Sequence, residues 1–147
     1  MILPKLTRRT FLKVIGGLTV TLPGCKGSSD DGTKPSREVP LGLLKDLARP
    51  ITVFKIEQLV LVQDEVGLGV VGSACTHQTC ALSILGDRPS NLSFSCPCHG
   101  SQFSRTGQVL NGPAVQNLPW YRLRVDPAGS LYAVLSDVVS ADWRLEP

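Results

Sequence analysis

The chain has 147 residues, 42% of them hydrophobic, with 15 Lys and Arg against 12 Asp and Glu. That length and apolar share suit one domain with one core. The net charge of +3 gathers in the first stretch: Lys5, Arg8, Arg9 and Lys13 fall before any acid. The rest of the chain carries 11 basic against 12 acidic residues. No basic field for nucleic acid exists, and that class is excluded.

Thr7-Arg8-Arg9-Thr10-Phe11-Leu12-Lys13 matches the twin-arginine pattern S/T-R-R-x-F-L-K, and an apolar run from Val14 to Leu22 follows. The run is far short of the roughly twenty apolar residues that span a bilayer. It reads as a signal, with residues 1–25 as the export segment. Leu22-Pro23-Gly24-Cys25 resembles a lipobox, which makes Cys25 the lipidation candidate. A cleaved signal without lipid, or a retained weak anchor, are the alternatives. Residues 26–40 open on a polar stretch, Lys26 to Ser36, too poor in apolar residues to fold, and read as a flexible linker. The expected location is the periplasm or the periplasmic face of a bacterial inner membrane, with the N-terminus as the membrane contact.

The folded domain is expected over 41–147. Leu43 to Arg49 has room for one or two helical turns before Pro50 ends them. Leu59–Val62 and Leu68–Val71 flank a loop of Gly and acids and predict a hairpin. Arg122–Val125 alternates polar and apolar, and Asp126-Pro127-Ala128-Gly129 turns the chain into Ser130–Leu135. No helical period persists. The prediction is an all-β antiparallel sandwich with the cysteine–histidine loops at one tip.

Those loops are Cys75-Thr76-His77-Gln78-Thr79-Cys80 and Cys96-Pro97-Cys98-His99-Gly100-Ser101. They hold both histidines of the chain and four of its five cysteines. Two Cys and two His suit a Rieske [2Fe–2S] centre, in which one iron takes two thiolates and the other two imidazoles. They also suit zinc in a closed tetrahedron. Zinc fingers, however, pair Cys with Cys and His with His, whereas each stretch here mixes the two. Zinc would also leave Cys80 and Cys98 without a role. No Ser–His–Asp set can form without taking one of these histidines, so hydrolysis is excluded. Trp120, Tyr121 and Trp143 read as core or rim aromatics, and Arg88 and Arg105 as solvated.

Cys75-Thr76-His77-x-x-Cys80 and Cys96-Pro97-Cys98-His99-Gly100-Ser101-x-Phe103 resemble the two cluster-binding boxes of the Rieske family. Within it they are most similar to the iron–sulfur subunits of cytochrome bc-type complexes and related exported bacterial proteins. Gly107 and Gly112-Pro113-Ala114 resemble downstream elements, the second being the family's proline loop. The resemblance covers about Thr52 to Leu135. It implies a small β subdomain inserted in a larger β base. It also implies that Cys75 and Cys96 ligate one iron and His77 and His99 the other, one cluster per chain. Further implications are a Cys80–Cys98 disulfide, a Ser101 hydroxyl bonded to a bridging sulfide, and Gly112 and Pro113 beside the cluster. Two departures stand out. Phe103 takes the place of a Tyr that donates to a ligand sulfur. Gln78-Thr79 replaces a Leu-Gly pair whose Leu docks against a quinone pocket.

The oxidised centre that the resemblance implies is neutral, since +6 from two ferric ions meets −4 from sulfides and −2 from thiolates. Adding an electron to a neutral centre is easier than to a four-thiolate one, which places Rieske potentials at about −150 to +300 mV against about −400 mV for plant-type ferredoxins. A free ring nitrogen on each His would couple the electron to a proton. The expectation is an electron-transfer subunit of an oxidoreductase complex rather than a catalyst alone. It would take electrons from quinol or a partner and pass them to a cytochrome c, with a cytochrome b or c type protein as redox partner. The alternative is the small Rieske subunit of an exported molybdenum oxidoreductase of the arsenite oxidase type, with a large oxidoreductase subunit as partner. An oxygenase ferredoxin fits less well, because of the signal and the Cys80/Cys98 pair.

Overall fold

The computed structural model describes residues 37–146. The twin-arginine stretch, Cys25 and the polar stretch as far as Ser36 lie outside them. Ten strands follow along the described residues: β1 (Glu38–Leu43), β2 (Ile51–Phe54), β3 (Leu59–Gln63), β4 (Leu68–Gly72), β5 (Ser83–Leu85), β6 (Ser93–Ser95), β7 (Gln102–Phe103), β8 (Val109–Asn111), β9 (Trp120–Val125) and β10 (Ser130–Val139). All pairings are antiparallel. A six-stranded base sheet has the order β1-β10-β9-β4-β3-β2, and a small sheet has the order β5-β6-β7-β8. The all-β prediction holds.

Strands β3 and β4 carry the base because both of their faces are buried. Along β3 the side chains alternate with period two. Leu59 and Leu61 join Leu68, Val70, Leu123, Leu131 and Ala133 on one face. Val60 and Val62 join Val71, Leu82, Leu92, Phe94, Phe103, Leu118 and Trp120 on the other. The first group draws on strands of the base sheet alone, so the sheet curls over its own face. The second group joins the base to the small sheet. Two Asx turns set the hairpins. Asp64 Oδ1 accepts from the Val66 and Gly67 amides at 3.1 and 3.2 Å, and Asp126 Oδ1 accepts from those of Ala128 and Ser130, both at 2.9 Å. Short polar side chains that bond their own backbone in this way favour turns.

Residues 73–119 form an insert whose ends meet. Val71 pairs with Trp120, and the Gly72 amide donates to Pro119 O at 2.9 Å. Strand pairing reaches into the stretch expected to be linker, because Glu38–Pro40 already pair with β10. The bidentate ion pair of Arg124 with Glu38 fastens that edge. The helical segment expected before Pro50 shrinks to one 3-10 turn at Leu44–Asp46. Trp120 and Trp143 pack in the two cores, with Arg144 and Arg122 stacked over their respective rings at 5.0 Å. Both therefore serve as packed aromatics, while Arg88 and Arg105 are exposed.

Candidate metal centre

The two Cys/His stretches cap two hairpins of the insert. The first is closed by the Ala74–Ala81 bridge and the second by the Ser95–Gln102 pair. Their backbones share one hydrogen-bond frame. The Cys75 amide donates to Cys80 O at 2.8 Å and the Thr79 amide to Cys75 O at 2.7 Å. In the second loop the Cys96 amide donates to Ser101 O at 2.8 Å and the Gly100 amide to Cys96 O at 3.0 Å. The fifth residue of each loop takes a left-handed conformation, φ 53° at Thr79 and 77° at Gly100.

The frame sorts the donors by type. Cys75 and Cys96, the first residue of each loop, are buried with free thiols at 1% and 2% exposure. His77 and His99 are exposed, their rings edge to face with centroids 4.9 Å apart. Burial pushes the Cys96 thiol up, but the backbone amides of His99 and Cys98 and the Cys75 side chain outweigh it. The net effect favours the thiolate, the form that binds metal.

Cys80 and Cys98 form a disulfide, Cα atoms 6.6 Å apart, that joins the two loops. The sulfurs of Cys80, Cys96 and Cys98 lie within 4.8 Å of one another. This group is not a second metal site, because two of its sulfurs are spent on the bridge.

A third segment, the proline loop Gly112–Gln116, is held by one hydroxyl from each cap. Ser101 Oγ accepts from the Ala114 amide at 3.0 Å, and Thr76 Oγ1 donates to Gln116 O at 2.6 Å. Asn111 Nδ2 adds a bond to Gly100 O at 3.3 Å. Gly112 and Pro113 are exposed at the tip, while Ala114 is buried beneath them. Phe103 is fully buried in the core that contains both free thiols. Thr76, Asn111 and Gln116 escape sequence reading, since their partners are distant in the chain and neutral hydroxyls and amides carry no spacing signature.

The residues fit a mixed-ligand cluster. Two thiols lie together inside and two imidazoles together outside, which is the separation that two unlike irons require. Ser101 is fully buried and accepts from Ala114, so its own proton has no acceptor among the described residues. A sulfide would take it.

The family model for the Rieske [2Fe-2S] domain matches residues 35–122, more than half of the chain. The chain belongs to this family. Its members bind a [2Fe–2S] cluster, and so does this chain. It is 42% identical over 64 residues to a cytochrome b6-f complex iron-sulfur subunit of Cyanothece sp., covering 40% of this chain and 32% of that one. It is 30% identical over 113 residues to the same subunit of Prochlorococcus marinus, covering 75% and 54% respectively. The chain thus spans about half, or less, of the length of these curated relatives. Among solved structures, the plasma membrane Rieske protein of Synechocystis matches at 29% identity and TM-score 0.46, covering 65% of this chain and 97% of that one.

Proposed function

We propose that the chain is a one-electron carrier in which Cys75 and Cys96 hold one iron and His77 and His99 the other. The observation that carries this reading is the sorting of buried thiols from exposed imidazoles on two loops of equal hydrogen-bond frame. When bound, the cluster supplies a centre that takes up and returns one electron. The chain's own residues do the rest. Cys75 and Cys96 attach the centre on its dry side, where Phe94 and Phe103 exclude water. His77 and His99 attach it on the wet side, and each keeps one ring nitrogen to hold or release a proton. Ser101 and Thr76 keep the proline loop closed over the tip.

The partner side of the reading follows from charge. Between Ser73 and Pro119 the charged residues are Asp87, Arg88 and Arg105, and none lies in either cap or the proline loop. Val115, 90% exposed, adds an apolar point on the proline loop. Gln78 offers an amide where an apolar docking residue would otherwise stand. Quinol or a protein partner supplies the electron, and a cytochrome c type protein accepts it. Relatives named as iron-sulfur subunits of cytochrome b6-f complexes support a redox partner within a complex. An exported protein tethered by a lipidated Cys25 at the periplasmic face of the inner membrane would place the tip among such partners.

The test is stopped-flow transfer from the reduced holoprotein to a soluble c-type cytochrome, over ionic strengths from about 10 to 300 mM, which shorten the screening length severalfold. The expected rate changes by less than about twofold, because an uncharged contact has little to screen. Transfer that stays at the uncatalysed background would sink the reading, as would stoichiometric zinc in place of iron.

A further inference from the structure

The Cys96 sulfur lies within 4.8 Å of both sulfurs of the Cys80–Cys98 bridge. Cys75, the other free thiol, is not in that group. We infer that Cys96, when it holds no iron, is the attacking thiol of an internal thiol–disulfide exchange that opens Cys80–Cys98. Such exchange proceeds by attack of a thiolate on one sulfur of a disulfide, and access decides which thiol attacks.

The sulfur attacked is that of Cys80. Cys96 and Cys98 are separated by Pro97 alone, and a bridge across one residue of fixed φ would close a strained ring. The Cys96 thiolate forms a bond to Cys80 Sγ as the Cys80–Cys98 bond breaks, and the electron pair leaves on Cys98 Sγ. One disulfide and one thiolate stand on each side of the step, so no oxidant or reductant is consumed. Cys98 is exposed and Cys80 half-buried, so the leaving thiolate departs into water.

The exchange removes a ligand. A chain joined Cys80–Cys96 has lost one of the two thiols that hold iron, and it cannot take up a cluster until the bridge is reversed. The order of assembly is therefore constrained, with cluster first and disulfide second. Iron on Cys96 guards the bridge as much as the bridge guards the iron. The protection of the holoprotein rests on the assignment of Cys96 as a ligand, whereas the exchange itself rests on the three sulfurs.

The test uses full-length protein with the native bridge, half left loaded and half stripped of iron by chelation without reductant. Both are incubated at mildly alkaline pH with iodoacetamide and mapped by mass spectrometry, with circular dichroism confirming retained β structure. The expected result in the stripped protein is a Cys80–Cys96 bridge with alkylated Cys98. It should exceed any bridge that contains Cys75 by about tenfold, as expected when proximity selects the nucleophile. The loaded protein should keep Cys80–Cys98. C75S, which cannot complete the ligand set yet keeps Cys96, should exchange in the same way, and C96S should not. Stripped protein that keeps Cys80–Cys98 with Cys75 and Cys96 alkylated overturns the inference. So does a mixture equal to that formed in guanidinium. Exchange in the loaded protein as well would uphold the reaction and refute Cys96 as a ligand.

Discussion

The two cap loops share a backbone and differ in what fills it. Each is six residues long, opens on a buried cysteine and turns through a left-handed fifth residue. At that residue the second loop has Gly100, which adopts the conformation without penalty, and the first has Thr79, a β-branched residue for which it is unfavourable. Each loop is tied to its neighbours at two points, the first through Cys80 and Thr76 and the second through Cys98 and Ser101. The difference teaches that the geometry is imposed from outside the first loop. The Cys80 bridge and the Thr76 bond to the proline loop hold Thr79 where its own preference would not.

The largest effect expected from breaking the pair is loss of the centre. If the loops are equal clamps, His77→Ala and His99→Ala should each abolish the cluster, because the chain has no third imidazole. Iron and labile sulfide per chain, with the reduced-state EPR spectrum, read this directly. A cluster surviving in either variant would show that the loops contribute unequally.

Next comes the tie between them. The bridge spans 18 residues, and a loop of that size restricts the unfolded chain by about 3 kcal/mol. Cys98→Ser should therefore lower the stability of the stripped protein by roughly that amount in denaturant titration. An unchanged midpoint would mean that the proline-loop bonds alone hold the caps together.

The left-handed position sharpens the comparison further. Thr79→Gly should stabilise by about 1 kcal/mol through relieved backbone strain, and Gly100→Ala should destabilise by about the same. A Cβ at 100 meets nothing within 4 Å, so its cost is purely conformational. Thermal midpoints would move in opposite directions by about 4–8 °C, the shift that 1 kcal/mol gives in a domain of this size. Movement in the same direction would refute the strain assignment.

The smallest effect concerns hydrogen bonds to the centre. Phe103→Tyr adds a phenol in the core shared with the ligand thiols, and a differential bond of about 1 kcal/mol to the reduced state corresponds to about 40 mV for one electron. The potential should rise, and Ser101→Ala should lower it by a similar amount. Protein-film voltammetry decides. A potential that stays put in Phe103→Tyr with the cluster intact would mean that the ring does not face a ligand sulfur.

Much of this was legible in the sequence where the physics is local. Apolar runs on either side of an acid-and-glycine loop made β3 and β4 readable, the alternation of Arg122–Val125 marked β9, and Asp64 and Asp126 stand in the β3–β4 and β9–β10 turns. The donors of the centre stood out because cysteine and histidine are scarce here. The insert's own sheet was not legible, since strands of two or three residues such as β7 leave no period to detect. β1 was hidden by Pro40 and Gly42, and its pairing comes from a strand some ninety residues away. The tie from Thr76 to Gln116 spans 40 residues, and only the assembled tip brings those two together.

The meeting of the insert's ends has a consequence for protein engineering. Chain enters the cluster-bearing segment at Gly72 and leaves it at Pro119 through neighbouring, hydrogen-bonded backbone. Residues 73–119 therefore form a cassette whose termini match any two adjacent antiparallel strands. The cassette is portable but not free-standing. Its floor includes Val60, Val62 and Val71 of the base, so a host sheet must present three β-branched side chains on the receiving face. Transplanting the loops without that socket would carry over the ligands and leave the dry side of the site open to water.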